Sequence, residues 1–128
     1  EEICVASPWP FHWEDLPALP RIEYLTDPNM RQLIDEWWYT NYTENPYVNI
    51  HVNSVETCRE MIINGLGYGI VANLVIKPYT NLHIKPITDH NNRPLTRKTW
   101  MYYHTKSLEL NIVNAFVSFI KKINVKAL

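Results

Sequence analysis

Glycine, cysteine and long apolar runs are scarce in this 128-residue chain, which has three glycines and two cysteines. Two cysteines are too few for a disulfide scaffold, and Cys4 and Cys58 lack the paired spacing of a zinc site. A reduced, cytoplasmic setting therefore fits best. No run of about eighteen apolar residues is present, and no basic segment followed by an apolar stretch opens the chain. The sequence predicts neither a membrane span nor a signal peptide.

An excess of charge of one sign is also missing, because twelve basic residues face thirteen acidic ones. The chain as a whole therefore has no electrostatic pull toward nucleic acid. The charge is unevenly distributed: residues 1–64 carry three Arg/Lys against eleven Asp/Glu, and residues 65–128 carry nine against two. This asymmetry fits either charge complementarity within one fold or a positive wall that attracts a small anion.

Hydrophobic residues are plentiful, at 46% of the chain, which is enough for a real core in one domain or a large piece of one. The chain starts without Met and enters a strand-like run almost at once, so we expect a fragment of something longer. Apolar, β-branched or alternating runs predict strands. These are Ile3–Ser7, Ile22–Leu25, 48–52, the segment YGIVANLVI after the glycines, Leu82–Ile87 and Thr99–His104.

Three helices are predicted from capping residues and apolar spacing. Asp27 caps the first, which has Pro28 at its first position and ends near Asn41; its core face is Met30, Leu33, Ile34, Trp37 and Trp38. Asn53 with Glu56 resembles a capping box for the second, which ends at Asn64-Gly65. Ser107 caps the third. Alternating strands and helices predict an α/β layered fold with a largely parallel sheet.

All three glycines lie at one corner, at positions 65, 67 and 69. A phosphate-binding loop needs glycines after a strand and before a helix, because the helix N-terminus supplies the amides that hold the anion. Here the helix precedes the glycines and a strand follows. We therefore expect these glycines to end the helix, turn the chain and pack the strand closely against that helix.

The corner VETCREMIINGLGYGIVAN resembles the effector-binding domain of LysR-type transcriptional regulators, whose pattern is an amphipathic helix ending in "aGlGia" before a short apolar strand. ICVASPWPF, DLPALPRIEY and TWMYYHTKSLELNIVNAFVSFIKK resemble other parts of that domain in the same order, along nearly the whole chain. The usual His-Pro-Leu near the first strand is replaced by Trp9-Pro10-Phe11.

The resemblance implies an α/β fold of the type II periplasmic-binding-protein kind, with a small-molecule effector bound in the crevice between two lobes. The chain would hold the second lobe at about residues 8–98, and a crossover strand and closing helix at about residues 99–128. The N-terminal winged helix-turn-helix lies outside this chain, so DNA would be a partner only through that missing domain. Family members act as homo-oligomers, so a dimer or tetramer is expected.

Effector contacts are expected where strands end and helices begin. Asn53 and Ser54 at one junction can donate to a carboxylate, and the alternative is that they only cap their helix. Thr26 at the other junction could line the crevice, whereas Asp27 serves its own helix. An anionic effector is favoured by the basic second half of the chain, namely Lys77, Lys85, Arg93, Arg97 and Lys98.

Other kinds of chemistry have little support in the sequence. The five histidines never approach metal-ligand spacing, and Cys58 falls on a buried helix stripe. For Trp37-Trp38 we favour packing in the core, and the alternative is a protein interface. No catalysis, metal or cofactor is predicted. A solute-binding protein of the same fold is the alternative function, and an enzyme on a nucleotide-binding fold comes third.

Overall fold

The computed structural model describes residues 1–76 and 81–97, of which residues 2–97 form one compact unit. The predicted strand Thr99–His104 and the helix predicted from Ser107 lie outside the described residues. Within the described ranges no helix combines the length and apolar character needed to cross a membrane.

A three-stranded antiparallel sheet forms the centre of the unit. Its middle strand is β1 (Ile3–Ser7), the predicted first strand, and all five of its residues are buried. On one side β1 pairs with β4 (Gly69–Ala72), and on the other with β5 (His83–Pro86). Because β1 is covered on both faces, it reads as a continuous apolar run.

A second, two-stranded sheet joins β2 (Arg21–Tyr24) and β3 (Val48–Val52) in parallel. The bounds of β3 are those predicted, whereas β2 begins and ends one residue before the predicted Ile22–Leu25. The prediction of a largely parallel sheet is wrong for the described strands, because only this pair is parallel. Pairing direction is set by contacts between residues far apart in the chain, which local periodicity does not reveal.

Helix α1 (Pro28–Asn41) begins and ends where the sequence predicted. Asp27 caps it by accepting a hydrogen bond from the Met30 amide at 2.9 Å. Trp37 and Trp38 are both buried, at 8% and 0% exposure, which confirms their interpretation as core residues. The indole N–H of Trp38 donates to the Glu44 carbonyl at 2.8 Å, so this buried polar group is satisfied.

Helix α2 (Val55–Ile63) is capped by Ser54, not by Asn53. The Ser54 hydroxyl accepts from the Thr57 amide at 3.2 Å, as an N-cap does toward the third helical residue. The predicted Asn53 cap is therefore wrong by one position. Asn and Ser are both good N-cap residues, so residue type alone does not show which of Asn53 and Ser54 caps the helix.

The glycine corner follows α2 as predicted: the helix runs in and β4 runs out. Gly65 has φ +81°, the left-handed conformation expected of a helix-terminating glycine. A Cβ at Gly67 would lie 2.8 Å from the Pro20 carbonyl oxygen, and one at Gly69 would lie 2.9 Å from Ile62 Cδ1. Close packing explains these two glycines, and a phosphate loop is excluded by the order of elements.

Three smaller elements complete the described chain. A 3-10 helix spans Trp13–Ala18 in the connection before β2. A short helix α3 (Asn73–Ile76) follows β4, where the sequence predicted continued strand. That prediction is wrong because a short apolar run fits a buried helix as well as a strand. A polar turn occupies residues 88–95, with Asn92 at φ 60°.

Among the described residues the core consists of two clusters that meet at β1. Ile3 and Val5 face one cluster with the buried residues of α1, and Cys4 and Ala6 face the other with α2 and β2. Alternate residues of one strand thus pack against two helical layers, as the pleat of a strand requires. This arrangement is the layered α/β organisation that the sequence predicted.

Candidate functional site

The two predicted strand-to-helix junctions lie side by side. Because β2 and β3 are parallel, with Tyr24 opposite Val52, their carboxyl ends meet at one edge of the unit. The Leu25 amide extends the pairing by donating to the Val52 carbonyl at 3.1 Å. Thr26 and the pair Asn53-Ser54 follow directly, and α1 and α2 begin there. We call Thr26, Asn53 and Ser54 the strand-end edge.

The three polar side chains of the strand-end edge differ in their availability. The Ser54 hydroxyl is engaged with the Thr57 amide and also lies 3.0 Å from the Thr57 hydroxyl. Asn53 is exposed and Thr26 is half-buried. Within residues 1–76 and 81–97, neither Asn53 nor Thr26 makes a side-chain hydrogen bond. Asn53 thus keeps both its donor and its acceptor groups for a ligand.

Asp27 serves its own helix, as the sequence predicted. Its hydrogen bond from the Met30 amide, with the Arg97 charge as a further cause, lowers the pKa of the Asp27 carboxyl. The carboxylate also forms an ion pair with Arg97. Arg97 is therefore brought to the strand-end edge from the far end of the described chain. No local sequence signal links these two residues.

A second charged group borders the strand-end edge and was missed by sequence reasoning. Arg31 pairs with Glu23, lies 3.7 Å from Asp35 and donates to the Tyr24 carbonyl at 3.2 Å. His51 Nδ1 lies 3.5 Å from Glu23. The four-residue spacing of Arg31 and Asp35 on a helix was readable, whereas the link to Glu23 depends on how α1 packs on β2.

Chemically, the strand-end edge offers hydrogen-bonding groups. Two helix N-termini bring partial positive charge and backbone amides to it. Cys58 lies on the buried side of α2, where burial raises the pKa of its thiol to about 12, so it is protonated at neutral pH. Among the described residues no group of three or more His, Cys, Asp or Glu is placed to hold a metal ion.

The described cavities lie elsewhere. One of about 350 Å³ is lined by Leu33, Trp37 and the 88–95 turn, and another of about 460 Å³ is lined by Trp13, Trp37 and Tyr42. Both adjoin the C-terminal half of α1, whereas the strand-end edge adjoins its N-terminus. The edge itself is an open surface, on which the Leu25 side chain is 76% exposed.

The amino-acid sequence of this chain is similar to those of known proteins. The model of the LysR substrate binding domain matches residues 3–123. The uncharacterised HTH-type transcriptional regulator YraN of Bacillus subtilis is 36% identical over 121 residues, which are 94% of this chain and 42% of YraN. A second uncharacterised HTH-type regulator of that organism, YkuM, is 31% identical over 102 residues, covering 80% of this chain and 35% of YkuM. The chain thus spans less than half the length of both relatives.

A solved structure shares the fold. The C-terminal domain of a probable LysR family transcriptional regulator from Rhodococcus sp. RHA1 superposes with a TM-score of 0.57 at 16% identity. The match covers 94% of this chain and 63% of that one. At this identity the likeness concerns the fold alone. It confirms the predicted α/β fold of the periplasmic-binding-protein kind.

Proposed function

This chain belongs to the LysR substrate-binding domain family, and from that membership we propose that it is the ligand-sensing part of a transcriptional regulator. The proposed ligand is a small effector, bound at the strand-end edge in a crevice between two lobes, of which the described unit is the second. Both similar regulators of Bacillus subtilis are transcriptional regulators, which favours this function over a solute-binding protein of the same fold.

The convergence of two strand ends and two helix N-termini carries the proposal. In open α/β folds ligands bind outside the carboxyl ends of strands, because backbone amides and helix dipoles point there. The parallel pairing of β2 with β3 brings Thr26 next to Asn53 and Ser54 at such a place. Asn53 has its amide group available, so it is the proposed primary polar contact of the effector.

An anionic effector fits the charges around the strand-end edge. Hydrogen-bond donors and two positive helix ends favour a carboxylate there. Burial raises the pKa of Tyr24, and the charges of Arg31 and Arg97, which border the edge, act in the opposite direction. Each guanidinium already pairs with a carboxylate of this chain. An effector carboxylate would therefore compete with Asp27 for Arg97, which links binding to a rearrangement of charge.

The proposed action is a shift between two arrangements of lobes and subunits, without catalysis. A ligand can shift such an equilibrium only as far as its affinities for the two states differ. DNA would be bound by an N-terminal domain outside this chain, in a cytoplasmic homo-oligomer. Effector binding would change how that oligomer binds DNA.

A thermal-shift screen of the full-length regulator against small metabolic acids tests this function. We expect at least one acid to raise the melting temperature, and Asn53→Ala to weaken its binding by about threefold to tenfold through loss of a hydrogen bond. Asn49→Ala is the matched control, since Asn49 is an exposed residue near the start of β3, away from the carboxyl end that precedes Asn53. Unchanged affinity in Asn53→Ala would remove Asn53 from the site, and stabilisation by neutral analogues alone would contradict the anionic effector.

A further inference from the structure

An aromatic cavity lies at the other end of α1 from the strand-end edge. It encloses about 460 Å³ between the 3-10 helix, the last turn of α1 and the end of β5. Its walls include Trp13, Trp37 and Tyr42, and polar groups come from Glu14, Asn41 and Thr88. This volume falls in the range of small-molecule sites in proteins. Since α1 has 14 residues, the two places are separated by about 20 Å.

The three rings are fixed at steep angles to one another. Trp13 and Trp37 have ring centroids 5.8 Å apart at 64°, and Trp37 and Tyr42 have centroids 5.9 Å apart at 78°. The Tyr42 hydroxyl donates to the Trp13 carbonyl at 2.6 Å, which ties α1 to the 3-10 helix. Trp13 remains 36% exposed. These three rings line one cavity at steep angles to one another, as the walls of aromatic cages for ammonium groups do.

The charge of the cavity wall is negative. Glu14 is the charged side chain among its described lining residues, and no Lys or Arg is among them. Burial raises the pKa of the Tyr42 hydroxyl to about 12, and the Glu14 carboxylate adds to that effect. The adjoining cavity shares Glu14 and Tyr42 and includes Glu44. A cation in the aromatic cavity would therefore meet a carboxylate beside the ring faces.

One ring of the cavity, that of Trp13, already contacts a cation of the protein. The Lys85 ammonium lies 4.7 Å from the Phe11 ring centroid and 5.7 Å from that of Trp13. It also donates to the Phe11 carbonyl at 2.6 Å. Lys85 is not among the residues that line the cavity. Its position demonstrates that an ammonium group is accommodated on this aromatic surface.

We propose that the aromatic cavity is a second binding site, selective for a small organic ammonium ion. The faces of Trp13, Trp37 and Tyr42 would contact the alkylated ammonium, and Glu14 would supply the opposing charge. The site is independent of the proposed effector site, because it uses none of the strand-end residues.

The proposal is tested by titrating the 128-residue chain with choline. Binding is monitored through the indole N–H signals of Trp13 and Trp37 in NMR spectra. We expect saturable shifts of both signals. The matched ligand is 3,3-dimethylbutan-1-ol, which has nearly the same shape without the charge and should give no saturable shift. Equal responses to the two ligands, or no saturable response to choline, would overturn the proposal.

Variants separate a specific site from general contact with aromatic surface. Trp13→Leu should weaken choline binding by about threefold to thirtyfold, and Glu14→Gln should weaken it with little change of shape. The controls are Tyr39→Leu, an exposed aromatic of α1 outside the cavity, and Glu56→Gln, an exposed carboxylate of α2. If Trp13→Leu does not fold, Glu14→Gln decides alone, and unchanged affinity in that folded variant would refute the site.

Discussion

At the scale of single residues, Gly67 is the position where a missing side chain matters most. A Cβ there would lie 2.8 Å from the Pro20 carbonyl oxygen and 3.0 Å from Ile22 Cγ1. A backbone oxygen cannot rotate away as the end of a side chain can. Gly67 therefore lets the chain leaving α2 pass close to the chain entering β2.

Asparagine substitutions at two glycines should separate lack of space from backbone conformation. We expect Gly67→Asn to lower the free energy of unfolding by about 1–3 kcal/mol, because the new side chain forces the segment away from Pro20. Gly65→Asn should cost only a few tenths of a kcal/mol, since φ is +81° with nothing within 4 Å and Asn tolerates that region. Urea denaturation measures both. Equal losses in the two variants would contradict this assignment of roles.

At the scale of elements, the start of α2 separates capping from ligand binding. Ser54→Ala should lower the free energy of unfolding by about 1 kcal/mol, because the Thr57 amide loses its acceptor. Asn53→Ala, the neighbouring matched control, should leave stability nearly unchanged. Chemical denaturation without ligand measures both. A larger loss in Asn53→Ala than in Ser54→Ala would show that the wrong residue has been identified as the cap.

Single elements were largely predictable because their signals are local. The bounds of α1 follow from Asp27, Pro28 and the spacing of its buried residues, and the structure reproduces them. The alternation of apolar and polar residues in β3 predicted a half-buried strand, and in the structure its residues are alternately half-buried and exposed. The glycine corner was predicted with the right polarity, since helix ends and strand starts carry opposite residue preferences.

Pairing between elements was not predictable from the same signals. Nothing in the run Ile3–Ser7 indicates that both its neighbours run antiparallel to it. The change from β4 to α3 within an apolar run was missed for the same reason, because burial on all sides removes the periodicity that distinguishes strand from helix. The strand-end edge was predicted as two separate junctions, and only the parallel pairing of β2 with β3 brings them together.

At the scale of the whole molecule, the two thiols should report on global unfolding. Cys4 in β1 and Cys58 in α2 are buried in the same core cluster, and burial raises the pKa of each thiol to about 12. A thiol reacts as its thiolate, so the native chain should react very slowly with a disulfide reagent at pH 8. Because the pKa of each thiol is higher in the folded than in the unfolded chain, the protonated thiols contribute to the stability of the folded state. This contribution is complete below about pH 8.5 and is lost as the pH rises toward 12.

Single-cysteine variants provide the measurement. Cys4→Ala and Cys58→Ala each leave one thiol, and we expect the two to be labelled at the same rate across a urea series, since exposure of either requires opening of the shared cluster. Faster labelling of Cys58 than of Cys4 at low urea would show that α2 opens separately from the sheet, which contradicts a single cooperative unit.

The central position of β1 has a consequence for how the protein is made. Cys4 donates to the Val71 carbonyl across 67 positions of sequence, and the partner on its other side, β5, lies further still along the chain. A ribosome releases the first strand long before either neighbour has been synthesised. The nascent ICVAS segment must therefore wait for both of these partners, and shielding of that apolar stretch during translation, by the exit tunnel or a chaperone, would raise the yield of correctly assembled protein.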